Sequence, residues 1–328
     1  MNVLQVVATL PSPEMPQEQP FTAAQIESLK RAGLNITVFN IKGYESKLNY
    51  FTAPKRIKEL VEKHDIELIH AHYSYSGLSA WLAKTGKPIV LSLMGSDLLG
   101  TADHDGKVTF RGKLDIKLSR FLAKNVDQII VKSKEMRNHL DFIPNVEVIP
   151  NGVNFDFFKP VDTIEMRKKL DIDPELFVAL FLGNSKNERK NFKLAKAAVD
   201  KLKTLEGYEN TVLLNPWGIS HAQVVEYMNA ANVLLLTSYW EGSPNVVKEA
   251  MACNLPIISV NVGDIEKLLK NTKNCFIVPF DENEIVEKMK ILFKTRERSN
   301  GRDNIQYLRD DVIAQRIIKI YERLLSKN

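Results

Sequence analysis

Several things are scarce in this chain of 328 residues, and each scarcity removes a class of protein. Only two cysteines are present, Cys253 and Cys275, each in an apolar stretch, which fits reduced core thiols better than a disulfide framework. No apolar run reaches the roughly 18 residues that a membrane span needs. The N-terminus, MNVLQVVATLPSP, lacks the positively charged start of a secretory signal and reads as a first strand, which points to a cytoplasmic protein. Charge of one sign is not in large excess: 45 Lys and Arg stand against 40 Asp and Glu, a net +5 that suits an anionic substrate or surface better than nucleic acid. Glycine is missing where a dinucleotide enzyme needs it most. The first strand runs into PSPEMPQEQPFTAA, which has nothing of a GxGxxG cradle, so a nicotinamide enzyme is disfavoured. In the same stretch Thr22 and Gln25 have the spacing of a capping box, which would satisfy the first helix's own amides.

What is present is an almost unbroken alternation of short β-branched runs with amphipathic helical stretches, the pattern of parallel sheets covered on both faces. The expected fold class is α/β, with two doubly wound Rossmann-like domains facing a cleft. Strands are expected at 2–10, 35–41, 67–72, 88–94, 128–132 and 146–149, then at 177–182, 211–215, 233–237, 256–260 and 275–278. Between the two sets PNGVNFDFFKP reads as a linker, because Pro, Gly and Asn mark turns there without a period. A last helix carries Ile313, Ile317, Ile320, Tyr321 and Leu324 on one stripe and needs a surface to pack on. The expected domains are 1–152, with 310–328 packing back on it, and 153–309. Ligands of such sheets bind at the carboxyl ends of the strands.

One stretch, SYWEGSPNVVKEAMACNLPIISV, carries chemistry. Ser243 suits an N-cap and Pro244 the first helical position, and Asn254 followed by Pro256 closes the helix. The third helical position, where a capping glutamate would sit, is Val246, so nothing acidic competes for the terminal amides and a phosphate can take them. Asn245 and Glu249 are four apart and share a face. A carboxylate one turn behind a phosphate can accept two ribose hydroxyls, as the acidic residue of dinucleotide folds does, while Glu241 in the preceding loop can reach a donor sugar.

With its two glutamates eight apart, this stretch resembles the E-x7-E element of the retaining GT-B glycosyltransferases of family 4 (group 1). VIPNGVNFDFFKP, FLGNSKNERKNF and MNAANVLLLTSYWEG are similar to other segments of that family, and so are IELIHAHYSYSG and IVLSLMGSD in the first half. The resemblance implies a nucleotide-sugar donor, UDP- or GDP-linked, held by the second domain, and a glycan or lipid-linked acceptor held by the first. It places Glu249 on the ribose, Glu241 on the transferred sugar, Asn245 and Val246 at the diphosphate together with Ser243 and Gly183, and Lys190 as the cation that neutralises the leaving group. Retention of anomeric configuration follows from the family alone. Because the nucleotide-sugar is a substrate, no cofactor is implied, and no metal.

The chain departs from the family's pattern in three places. Asn184 stands where an arginine usually follows the glycine, so Arg189 is the candidate second cation. Met94 replaces a frequent histidine, leaving Gly95 and Asp97 as the matching residues, and the glycine-rich loop after the first strand is missing. These losses favour one alternative, a degenerate non-catalytic scaffold subunit, and a GT-B UDP-sugar epimerase is the rival within the class. Asp103-His104-Asp105 spells the D-x-D metal motif of the other glycosyltransferase fold but sits in a polar loop. His70 and His72 alternate onto one face of a strand end and read as a cleft-lining pair without metal, His72 on the acceptor side. Trp217 follows a strand and can border the base. Finally, RGKLDIKLSRFLAK, residues 111–124, places Lys113, Lys117, Arg120 and Lys124 on one helical face and Leu114, Leu118, Phe121 and Leu122 on another. Either that apolar stripe is buried in the first domain, or the helix docks on an anionic membrane surface.

Overall fold

Strand and helix alternate because each sheet, apolar on both faces, must be covered on both sides. A computed structural model describes residues 1–101 and 107–326. The first half runs β1 (Asn2–Val7), α1 (Pro20–Arg31), β2 (Asn35–Asn40), α2 (Asn49–Lys63), β3 (Leu68–His72) and α3 (Ser74–Leu82). It continues with β4 (Ile89–Ser92), α4 (Ser96–Leu99), α5 (Phe110–Ala123), β5 (Gln128–Val131), α6 (Lys134–Asn138) and β6 (Val146–Val148). The second half runs α7 (Thr163–Lys169), β7 (Phe177–Leu180), α8 (Phe192–Lys203), β8 (Thr211–Leu214), α9 (His221–Ala230) and β9 (Val233–Leu236). After these come α10 (Asn245–Ala252), β10 (Ile257–Val260), α11 (Ile265–Leu269), β11 (Cys275–Val278), α12 (Glu282–Thr295), α13 (Gly301–Asn304) and finally α14 (Asp310–Leu325). The chain divides into two compact units, residues 1–152 with 310–328 and residues 153–309.

Every strand expected from the hydrophobic pattern forms, but most stop early. β1 ends at Val7 because its neighbour β2 ends opposite it, at Asn40, and a strand without a partner has nowhere to place its amides. Both sheets are parallel, with orders β2-β1-β3-β4-β5-β6 and β11-β10-β9-β7-β8. Counted within each unit, both begin 2-1-3-4-5. The order therefore reverses between β1 and β3 in one unit and between β7 and β9 in the other, the kind of point at which ligands bind in open parallel sheets.

Each unit has its own core. Leu4, Ile69, Leu91 and Ile129 are fully buried in the first, and Phe177, Ala179, Val233 and Met289 in the second. The apolar stripe of α14 finds its surface in the first unit, where Ile313, Ile317, Ile320 and Tyr321 are each at most 1 % exposed. Arg31 on α1 pairs with Asp310 at 2.5 Å and Arg323 with Glu147 at 2.7 Å, which pins both ends of the helix.

The capping box expected of Thr22 and Gln25 does not form. α1 starts earlier, at Pro20, whose fixed φ suits a first helical position, and Gln19 precedes it in a left-handed conformation at φ 44°. Thr22 is therefore inside the first turn, buried, and donates its hydroxyl to Gln19 Oε1 at 3.4 Å.

Candidate active site

The switch point of the second unit is built by the loops after β7 and β9. After β7 the chain passes Gly183, and Asn184 shapes the turn by accepting Lys186 N–H at its side chain (2.9 Å) and Asn187 N–H at its carbonyl (3.0 Å). A short 3-10 turn, Glu188–Lys190, follows, and Asn191 at φ 49° leads into α8. β9 is the neighbour of β7, so its end meets this loop. Thr237 donates to the carbonyls of Lys190 (3.2 Å) and Asn191 (2.9 Å), Tyr239 N–H to that of Arg189 (2.9 Å), and Arg189 Nη1 to that of Trp240 (2.8 Å).

These ties bring two cations onto one carboxylate. Lys190 Nζ lies 2.7 Å from Glu241 Oε1, and Arg189 Nη1 lies 2.9 Å from Oε2. The Glu241 side chain is only 11 % exposed. Burial pushes its pKa up, yet the attraction and hydrogen bonds of Lys190 and Arg189 outweigh burial and hold the carboxyl below its ordinary range. Glu241 thus offsets one of the two positive charges gathered here, and the cluster keeps a net positive charge.

The helix that follows differs from expectation at its start. Pro244 is the N-cap, α10 begins at Asn245, and the N-cap residue supplies no side-chain hydrogen bond to the helix. Ser243 does not cap because its hydroxyl is turned to Asp264 Oδ2, 2.7 Å away. The first turn, including Val246, contains no acidic residue. At the other end Asn254 takes the expected left-handed conformation at φ 54°, and Arg302 and Arg298 donate to the carbonyls of Ala252 (3.0 Å) and Cys253 (2.9 Å). The negative end of the helix dipole is thus matched by arginines, while the positive end has neither an acidic residue in its first turn nor a capping side chain on its N-cap residue. One turn in, Glu249 Oε1 lies 3.0 Å from His221 Nε2 at the start of α9. The imidazole packs edge-on to Phe158, 4.9 Å between centroids. Trp217 is 53 % exposed in the loop after β8.

In the first unit the corresponding residues are sequestered. His70 and His72 are fully buried and do not line an open surface, which corrects their reading as a cleft-lining pair. They stack at 4.3 Å between ring centroids, with His70 bonded to Tyr321 Oη and Ser92 Oγ and His72 to Gln5 Oε1 (2.8 Å). The reason is α14, whose Tyr321 packs on the face of the sheet over Gln5 and His70, in the middle of β1 and β3. Burial, aided by the charge of Lys132, lowers the His72 pKa to about 3, so both rings are neutral. Asp97 is also fully buried, and its Oδ1 accepts the amides of Met94 and Gly95, each at 2.9 Å. Desolvation raises it to about 6 against those two bonds. Asp103 and Asp105 lie outside the described residues.

Three residues that matter here escaped sequence reading. His221 had a local signal, because Ser220 and Gln223 form a true capping box that fixes it as the first residue of α9. Asp264 and Lys248 had none, since their significance lies in the burial and contacts of distant segments. The α5 helix splits the earlier alternatives: Leu122 is buried and Leu118 partly so, but Leu114 and Phe121 are 47 % and 45 % exposed. With Phe110 they share the outer face with Lys113, Lys117, Arg120 and Lys124.

Two parallel sheets with flanking helices, one in each unit, fit the GT-B class of α/β fold. The family models agree: Glycosyltransferase Family 4 matches residues 4–157 and Glycosyl transferases group 1 matches residues 206–307. The chain belongs to the group 1 glycosyltransferases. It is 25 % identical over 346 aligned residues, 88 % of each chain, to the teichuronic acid biosynthesis glycosyltransferase TuaC of Bacillus subtilis. Among solved structures it is similar to the sucrose-phosphate synthase of Thermosynechococcus elongatus, with a TM-score of 0.78, 19 % identity and all of both chains covered. It is similar also to Anabaena HepE in complex with UDP, with a TM-score of 0.74, 16 % identity, and 98 % of this chain and 100 % of that one covered.

Proposed function

We propose that the protein moves a sugar from a UDP- or GDP-sugar to a hydroxyl of a glycan or lipid-linked glycan, with retention of anomeric configuration and without a metal. The observation that carries this reading is the convergence of Lys190 and Arg189 on Glu241 at the β7/β9 switch point. On donor binding the diphosphate takes the place of the Glu241 carboxylate between the two cations. Glu241 is then released to bond a hydroxyl of the transferred sugar, Glu249 takes the ribose diol, and the amides at Asn245 and Val246 receive a phosphate. As the bond from the anomeric carbon to the phosphate oxygen breaks, Lys190 and Arg189 stabilise the negative charge that develops there. The acceptor oxygen bonds to the anomeric carbon on the same face, and its proton passes to the leaving phosphate. Complexes of HepE with UDP and UDP-glucose support a nucleotide-sugar donor, and the name of TuaC supports an acceptor in polysaccharide biosynthesis.

The first unit is then the acceptor-binding domain and the second the donor-binding one. The outer face of α5, basic and apolar together, is suited to anionic lipid headgroups, where a lipid-linked acceptor would be met. Beside it Arg120 and Lys124 lie over the ring of Phe142, forming with Lys117 and Phe121 a surface hollow of about 480 Å³. Calorimetry with UDP and GDP tests the core of the proposal: one of them is expected to bind with a micromolar or lower Kd, and transfer is expected to persist in EDTA. Absence of binding by both nucleotides would overturn it, and loss of transfer in EDTA that manganese restores would overturn metal independence.

A further inference from the structure

Lys248 is fully buried in α10 immediately before Glu249, and the reaction just described does not use it. Burial lowers its pKa to about 8, while the carboxylates of Asp264 and Glu249 favour its charged form. Asp264 is the other half of the arrangement. One of its oxygens holds the Ser243 hydroxyl at 2.7 Å, and the other is buried without a hydrogen-bond partner among the described residues. The backbone beside it is equally committed. Gly263 has φ 58°, and a Cβ there would lie 2.4 Å from the carbonyl oxygen of Gly242 and 2.7 Å from that of Glu241. The loop after β10 therefore presses directly on the turn that carries Glu241 and opens α10.

This arrangement has a cost that something must offset. Ser243 stands two residues before the first helical amide, so its tie to Asp264 brings a carboxylate close to where the proposed diphosphate would sit. Two like charges in a partly desolvated setting repel strongly. We propose that Asp264 and Lys248 are positioning residues for the donor's diphosphate. Asp264 fixes the Glu241–Asn245 turn through Ser243, and the buried ammonium of Lys248 neutralises Asp264 so that this tie does not repel the phosphates. The inference rests on the donor-site reading above.

The test compares UDP with uridine, or GDP with guanosine if the parent protein binds GDP instead. Lys248→Met is expected to weaken the diphosphate roughly tenfold, about 1.4 kcal/mol, and the nucleoside less than twofold. Adding Asp264→Asn, which removes the carboxylate charge but keeps an acceptor for Ser243, is expected to restore most of the lost diphosphate affinity. A purely structural lysine predicts no such rescue. Equal loss for diphosphate and nucleoside, or a double variant as weak as Lys248→Met, overturns the inference while leaving the donor site in place. Parent protein that binds neither nucleotide overturns both. Should Lys248→Met fail to fold, Ser243→Ala decides: it must weaken the diphosphate selectively, and an unchanged ratio of the two affinities overturns the inference.

Discussion

The two units share one strand order, yet their switch points have opposite character. At β7/β9 charged side chains meet and stay close to solvent: Lys190 is 20 % exposed and Arg189 30 %. At β1/β3 the polar side chains are sealed: His70, His72 and Gln5 are fully buried, and Tyr321 of α14 closes over them. The same topology therefore carries a partly exposed charge cluster in one unit and a packed polar core in the other. What differs is where the polar groups stand: in the second unit on the loops beyond the strand ends, in the first on the sheet face beneath α14.

Substitutions at the two points should accordingly read out differently. Lys190→Ala is expected to give the largest effect, a fall in kcat of roughly a hundred- to a thousandfold, because it removes a preorganised charge from the leaving group. Steady-state kinetics on the folded variant measures it, and a loss below threefold would show that the cations at β7/β9 are structural. Glu249→Ala comes next. Loss of a charged hydrogen-bonding partner should weaken nucleotide binding by about 1.5 to 3 kcal/mol. Glu241→Gln should leave nucleotide affinity intact while depressing turnover, since it frees both cations for the diphosphate. Calorimetry that finds Glu249→Ala indistinguishable from the parent rules out the ribose role, and unchanged turnover of Glu241→Gln rules out the sugar role.

At β1/β3 the expected readout is stability. The His72 pKa is about 3 in the folded chain against an ordinary 6.5, so between those values the unfolded chain binds the extra proton and stability falls as pH falls. At pH 5 that contribution is about 2 kcal/mol, and His70 adds in the same direction. Asp97, raised to about 6, acts the other way, because its burial cost is relieved as it protonates. Denaturant unfolding at pH 7 and pH 5 should show the parent losing more stability than His72→Gln, and an equal loss would mean that this histidine is not held neutral. The smallest effect is expected at the α5 surface. Flotation with vesicles rich in phosphatidylglycerol should show weak binding, roughly 1 kcal/mol per basic residue, that high salt abolishes and that reversal of Lys117 and Arg120 to glutamate removes. Failure to float at low salt would leave a soluble acceptor as the better reading.

The sequence by itself determined the local elements and their order. Hydrophobic period, turn residues and the Asn254-Pro256 stop located every strand and α10, and the alternation dictated two parallel sheets. Such signals are legible because they depend on neighbours within a turn or two of the chain. Even there the cap of α10 was misplaced by one residue, since Ser243 had a better partner in Asp264, 21 residues away. Only the tertiary structure decided the pairings that make a site. Glu241 meets Lys190 across 51 positions because β7 and β9 are neighbours in the sheet, and Glu249 meets His221 across 28 because α9 and α10 start at the same end of it. It also decided that Lys248 and His72 are buried while Leu114 and Phe121 are exposed, for burial depends on which distant surface arrives, and no local period encodes that.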